Sequence, residues 1–196
     1  MAKFEESMKL LEFLEFSNQD SKLLHQNKNE TGLTFYGIYE KWNKDWKGWV
    51  IIKKQLSITP NIKIASKVLA KNLELKNLAY ERIKSNYWDK AKLDKVNSQK
   101  IADEIFIFGF NVGMPIAIKK AQNLVGAVSD GIVGKNTLKA FNSFNEHRFD
   151  IEFDEIEKKY YDEVIRKKPY LSPNHDGWYV RAVYAFNETS SDIAIA

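Results

Sequence analysis

The chain has 196 residues, 44% of them hydrophobic and 13% aromatic, enough to bury a full core as one domain or as one domain with a small appended subdomain. It contains no cysteine, so a disulfide framework and a thiolate metal site are excluded, and His25, His147 and His175 lack ligand-like spacing; neither a metal nor a cofactor is expected. Thirty Lys+Arg against 26 Asp+Glu leave a net charge of +4, a mild excess that favours a polyanionic partner such as nucleic acid, anionic lipid or a cell-wall polymer.

The lysines are spread through the middle of the chain, which reads as a solvated basic surface and not as a nucleic-acid stripe. The opening MAKFEESMKLLEF places two glutamates ahead of a short apolar run and has no small-residue cleavage site, unlike a secretory signal. No apolar stretch is long enough to span a bilayer. The expectation is a cytoplasmic protein without membrane insertion.

In chain order, residues 3–17 read as an amphipathic helix, and Ser17 to Thr31 as a polar loop anchored only by Leu23 and Leu24. Thr31 to Tyr39 is rich in aromatic and β-branched residues between glycines, which predicts a short hairpin. Aromatic and aliphatic residues recur from Trp42 to Ile58 and stop at Thr59-Pro60, where the residue before proline avoids the α region. Ile62 to Trp88 reads as one long helix or two, and a further helix runs from Ser98 to Asn111.

Gly113-Met114-Pro115 then punctuates the chain, with Pro115 suited to the first turn of a helix over 115–124. Asp130-Gly131 and Gly134 predict a turn before a helix over 135–144, with Asp130 and Thr137 satisfying helix-end amides. Residues 151–168 read as a charged amphipathic helix, Tyr170 to His175 as a loop, Trp178 to Phe186 as a last helix, and 187–196 as a frayed tail. The predicted fold is mainly α with one small β-hairpin near residues 31–39.

One carboxylate interrupts this pattern. Phe4, Met8 and Leu11 step along one helical face, and the next step lands on Glu15. A half-buried acid there would hold its proton more tightly, as a general acid must near neutral pH. The plain alternative is a helix end at which Glu15 turns out to water.

Four segments, read in order, resemble the glycoside hydrolase family 108 muramidases, phage-type lysozymes with a carboxy-terminal peptidoglycan-binding helical region. Leu14-Glu15-Phe16-Ser17-Asn18 and Thr31-Gly32-Leu33-Thr34-Phe35-Tyr36-Gly37-Ile38 stand for the family's Glu-Gly-Gly-Tyr helix end and Gly-Gly-x-Thr-x-x-Gly-Ile element. Tyr87-Trp88-Asp89 with Phe106 to Gly113 is similar to its Tyr-Trp and Phe-Asp-x-x-x-Asn-x-Gly. Ala117 to Gln122 with Asp130-Gly131-Ile132-Val133-Gly134-Lys135-Asn136-Thr137 resembles Leu-Gln, Asp-Gly-x-x-Gly-x-x-Thr, and Gly177-Trp178-Tyr179-Val180-Arg181 its closing Gly-Trp-x-x-Arg.

The resemblance implies a lysozyme-like helical fold in which residues 1–112 are catalytic and 113–186 form a peptidoglycan-binding-like region. It implies an endolysin-type N-acetylmuramidase that acts on peptidoglycan glycan strands as a monomer, by an inverting route, held in the cytoplasm until released to the wall or periplasm. Glu15 becomes the general acid and Thr34 the residue that positions water. Glu30 or Asp20 is left as the base, or neither, because the acid expected five positions before the threonine is Asn29, whose amide could only orient water. Tyr36, Tyr87, Trp88 and Asn111 are candidates to bind sugar rings, and Trp88 is equally suited to packing between helices.

The family's Gly-Gly is Phe16-Ser17 here, with less backbone freedom, and the loop between Glu15 and Thr34 is longer. These departures also leave open a non-catalytic peptidoglycan-binding or secretion-accessory protein on the same scaffold.

Overall fold

The computed structural model describes residues 1–17, 19–28 and 30–187, with side chains through Val183. Asn18, Asn29 and the tail from residue 188 lie outside the described residues. The fold is mainly α, with one small antiparallel sheet. Packing divides the chain into two compact units, Met1–Leu11 with the described residues from Tyr87 onward, and Glu12–Asn86.

The first unit is built on helix α5 (Gln99–Val112). Ser98 caps it by accepting the Ile101 amide at 3.2 Å, and Gly113, at φ 92°, ends it in a conformation that few other residues tolerate. All nine residues from Ile101 to Gly109 are buried, so this helix is enclosed and not half-solvated. Helix α1 (Phe4–Leu11) packs on it, and Phe4, Trp88 and Phe106 meet edge to face with centroids 5.7–5.9 Å apart.

Helix α6 (Met114–Leu124) follows with Pro115 in its first turn and approaches α5 closely at Gly109, where an added Cβ would lie 2.1 Å from Met114 Sδ. Helices α7 (Lys135–Ser143), α8 (Glu146–Lys167) and α9 (His175–Asn187) complete the unit. Helix α8 begins at residue 146, not 151, because Asn145 accepts the Arg148 amide at 2.9 Å and starts the helix ahead of the evident amphipathic run. Residues Pro169–Asn174 form 3₁₀ turns where a loop was expected, and α9 takes in Asn187. Phe108 packs edge-on against Phe153, Tyr160 and Tyr161, and Tyr161 stacks on Trp178 at 4.9 Å.

The Asp-Gly turn between α6 and α7 is organised by Gln122, which is fully buried. The two hydrogens of its amide nitrogen are shared among Asp130 Oδ1 (2.9 Å), the Ile132 carbonyl (3.1 Å) and Thr137 Oγ1 (3.2 Å), and its oxygen accepts the Gly131 amide (2.8 Å). Asp130 also accepts the Ile132 amide at 2.8 Å within the turn. Asp130 and Thr137 thus bind Gln122 and the turn, where helix-end amides were expected.

The second unit opens with a π-helical turn, Glu12–Phe16. Widening the helix by one residue per turn re-phases its faces, a distortion frequent at functional sites. Strands β1 (Leu24–His25), β2 (Thr34–Phe35) and β3 (Ile38–Tyr39) pair in that order, Leu24 with Phe35 and Thr34 with Tyr39. The β2–β3 hairpin turns through Tyr36 (φ 49°) and Gly37 (φ 73°), both left-handed as a type I′ turn requires. Strand β1 was not anticipated, since two residues carry no measurable alternation.

Helices α3 (Ile62–Leu69) and α4 (Leu73–Ile83), capped by Asn61 and Asn72, pack on β1 and β3, and α2 (Gly48–Ile58) packs on both helices. Ser66 on α3 fastens β1 by accepting the Leu24 amide at 2.9 Å and donating to the Asp20 carbonyl. Among the described residues, no helix is long and apolar enough to cross a membrane.

Candidate functional site

Glu15 lies in the π-helical turn, half-buried, with Oε1 shielded from solvent. One helical turn earlier in the same segment stands Glu12, which the sequence reading did not single out. Glu12 Oε1 accepts the Tyr36 hydroxyl at 2.8 Å and pairs with Lys76 Nζ at 2.8 Å. The Tyr80 hydroxyl is also hydrogen-bonded to Glu12, and Lys76 Nζ sits 5.2 Å from the Tyr80 ring centre.

Burial is the main reason both phenols hold their protons far above the usual tyrosine range, followed by their hydrogen bonds to Glu12 and its negative charge. The Asp20 carboxylate adds to the effect at Tyr36. Two phenols that stay protonated are fixed donors, so Glu12 is an anchored acceptor and not a mobile surface acid. The only sequence signal for it was the three-residue spacing from Glu15, which puts both acids near one helical face.

The hairpin supplies the opposite side of this cluster. Tyr36 is 6% exposed, with its ring 4.7 Å from Phe16 and 5.2 Å from Phe35. Phe16 therefore fills space with an aromatic contact. Thr34 is 7% exposed and held by backbone pairing between His25 and Tyr39.

Glu30 is bound within its own loop, where Oε2 accepts Asn27 Nδ2 at 2.8 Å and its carbonyl accepts Gln26 Nε2 at 3.0 Å. Asp20 is exposed. A groove of about 550 Å³ beside the hairpin is lined by Thr31, Gly32, Glu40, Lys41, Lys44 and Lys53. Lys53 pairs with Glu40 at 2.8 Å and, chiefly through that hydrogen bond, lowers the Glu40 carboxyl below its usual range.

Glu15, Glu30, Thr34 and Tyr36 therefore share the second unit, whereas Tyr87, Trp88 and Asn111 belong to the first. Trp88 is 1% exposed and enclosed by Phe4 and Phe106, so it fills the core and is not a sugar platform. Tyr87 is half-buried against Phe110 at 5.2 Å, and burial raises its hydroxyl pKa. Asn111 is exposed at the end of α5 and donates to the Ile107 carbonyl at 3.2 Å.

Comparison with known proteins adds two findings. Among solved structures, the SagA protein of Brucella abortus is similar over 97% of this chain and 94% of its own, with a TM-score of 0.61 and 20% sequence identity, a likeness of fold. No curated protein sequence matches the chain. The family model Glycosyl hydrolase 108 matches residues 18–113, which begins just after Glu12 and Glu15 and takes in the hairpin. Through that stretch, the chain is similar to the glycosyl hydrolase 108 family.

Proposed function

We propose that the protein is a peptidoglycan glycosidase of the lysozyme type, an endolysin-like N-acetylmuramidase that cleaves the β-1,4 bond between N-acetylmuramic acid and N-acetylglucosamine. The observation that carries this reading is the position of Glu15: a carboxylate with one oxygen shielded from water, in a π-helical turn directly ahead of the stretch that matches the family.

Glu15 protonates the leaving glycosidic oxygen. Thr34 holds the attacking water, and Asp20 or Glu30 removes its proton, giving inversion if the carboxyl groups stand about 6.5–9.5 Å apart across the sugar. Glu12 contacts no reacting atom in this scheme; its bonds to Tyr36, Tyr80 and Lys76 hold the turn that carries Glu15. Tyr36 contributes through that anchorage.

The test is digestion of purified peptidoglycan followed by mass spectrometry of the fragments. N-acetylmuramic acid at the new reducing end, lost with Glu15→Gln, is the expected result. Undiminished digestion by Glu15→Gln removes Glu15 from the chemistry, and N-acetylglucosamine at the new end removes the muramidase assignment.

A second reading, a wall-binding protein without activity on the same scaffold, is favoured by two features. Glu30 is engaged by Asn27 and Gln26 in its own loop, and Phe16 packs on Tyr36 where the family has glycine. Retention on insoluble peptidoglycan without new reducing ends is the outcome it expects.

A further inference from the structure

A second group of acids lies inside the first unit, unused by the chemistry above. Glu104 projects from α5 at 1% exposure, and neither of its carboxylate oxygens has a hydrogen-bond partner. Asp150, Asp154 and Glu157 come from α8, 8%, 9% and 3% exposed, and Asp154 Oδ1 is likewise unpartnered. One oxygen from each of Glu104, Asp150 and Asp154 lies within 4.8 Å of the other two.

The surrounding charges do not account for this concentration. Arg181 on α9 acts on Glu157. Lys100, His147 and Lys158 act on Asp150, and Lys158 also acts on Asp154. Asp103, the neighbour of Glu104 on α5, adds another acid and is itself satisfied by Ser7 and Gln99. Glu104 is left facing carboxylates with no donor of its own. Buried carboxylates persist when they are paired, protonated or bound to a metal.

We propose that Glu104, Asp150 and Asp154 form a binding site for a hard divalent cation, with Ca²⁺ the ion whose adaptable oxygen shell suits it. The ligands are oxygen only, which selects calcium-like ions over the softer metals that imidazole and thiolate favour. Calcium–oxygen bonds of about 2.3–2.6 Å allow two ligand oxygens to stand up to roughly 5.2 Å apart, a limit these oxygens respect, and calcium accepts an irregular shell where magnesium demands a near-ideal octahedron. Asp150 and Asp154 are one turn apart on α8 and face Glu104 from α5, the arrangement by which facing helices hold carboxylate-bound metals. Their slight exposure leaves room for water to complete the shell.

The site is tested on the full chain, freed of metal with a chelator and titrated with CaCl₂ by calorimetry, with Tm measured in parallel. Saturable one-to-one binding and a rise in Tm are expected. Glu104→Gln should weaken Ca²⁺ binding at least tenfold, and Glu155→Gln, on the exposed side of α8, should leave it unchanged. Should Glu104→Gln fail to fold, Asp150→Asn at the rim gives the same readout. The proposal is overturned by no saturable heat up to about 10 mM Ca²⁺, above the weakest range of protein calcium sites, or by wild-type affinity in the folded acid-to-amide variants.

Discussion

The Tyr36 hydroxyl donates to Glu12 Oε1 across 2.8 Å, joining the tip of the hairpin to the π-helical turn that carries Glu15. Lys76 reaches the same oxygen at 2.8 Å, so removing the phenol leaves Glu12 partnered but less firmly placed. Tyr36→Phe keeps the ring contacts with Phe16 and Phe35 and deletes only the donor. A hydrogen bond to a charged group contributes about 1.5–3 kcal/mol, and partial exposure of Glu12 puts the expected loss near the lower figure. Urea denaturation of Tyr36→Phe, alone and combined with Glu12→Ala, measures it: the two losses should fall well short of additive.

Gln122 predicts a larger effect. Its side chain makes four hydrogen bonds at a fully buried site and is the common partner of Asp130, Gly131, Ile132 and Thr137. Gln122→Ala leaves a cavity and strands polar groups, for an expected loss of roughly 3 kcal/mol. Asp130→Ala should cost less, because Gln122 keeps three of its bonds. Thermal unfolding of the two variants checks the order.

Much of this arrangement was legible, and the limits follow from range. Ser98, Gly113 and Pro115 mark the ends of α5 and α6 because capping and left-handed turns are settled by neighbouring residues. The hairpin at Thr34 to Tyr39 was legible for the same reason. Strand β1 was not, since two residues gain strand geometry only from Phe35 and Thr34 across the sheet. Glu15 interrupts an apolar stripe and is visible. Glu12 matters through Tyr36, Tyr80 and Lys76, distant in sequence, and its three-residue spacing from Glu15 does not reveal those partners. The acids of α5 and α8 escaped a search built on cysteine and histidine spacing, because their meeting depends on how two helices pack.

Gly109 tests that packing directly. An alanine there would place its Cβ 2.1 Å from Met114 Sδ and 3.4 Å from the Ala117 Cβ, so α5 and α6 would have to separate or Met114 change rotamer. Overpacking of this kind costs about 1–3 kcal/mol, against a helix-propensity gain of under ~1 kcal/mol. Gly109→Ala should therefore lower the denaturation midpoint, and Gly109→Ala/Met114→Ala should recover part of the loss.

The buried acids fix the sign of a pH dependence. Burial raises the Asp103 carboxyl to about 7 despite the hydrogen bonds from Ser7 and Gln99, and burial with the Asp150 charge raises Asp154 to about 7. Glu104 and Glu157 are raised by burial and by neighbouring carboxylates. These folded values lie above the unfolded values of about 4, so between the two the folded state holds more protons. The stabilisation is fully present below the unfolded pKa and is lost as pH rises through the folded one. In chelator, Tm should fall between pH 5 and pH 8, and Asp103→Asn, which keeps an oxygen for Ser7 and Gln99, should flatten part of the slope. A Tm that rises across this window would show these acids ionised in the folded protein.

Glu12 and Glu15 separate anchoring from proton transfer. Glu15→Gln removes the donated proton while preserving size, so peptidoglycan hydrolysis should drop by about 10²–10⁴ with Tm nearly unchanged. Glu12→Gln keeps Tyr36 as a donor to an amide oxygen but loses the charge that pairs with Lys76. Stability should fall and activity decline less steeply, because a proton donor remains at position 15. Glu12→Gln/Lys76→Met, which removes the cation left behind, should recover stability relative to Glu12→Gln. If the two single variants exchange behaviour, with activity abolished at position 12 and only stability lost at position 15, the proton donor is Glu12 and the π-helical turn presents the earlier of its two acids to the sugar.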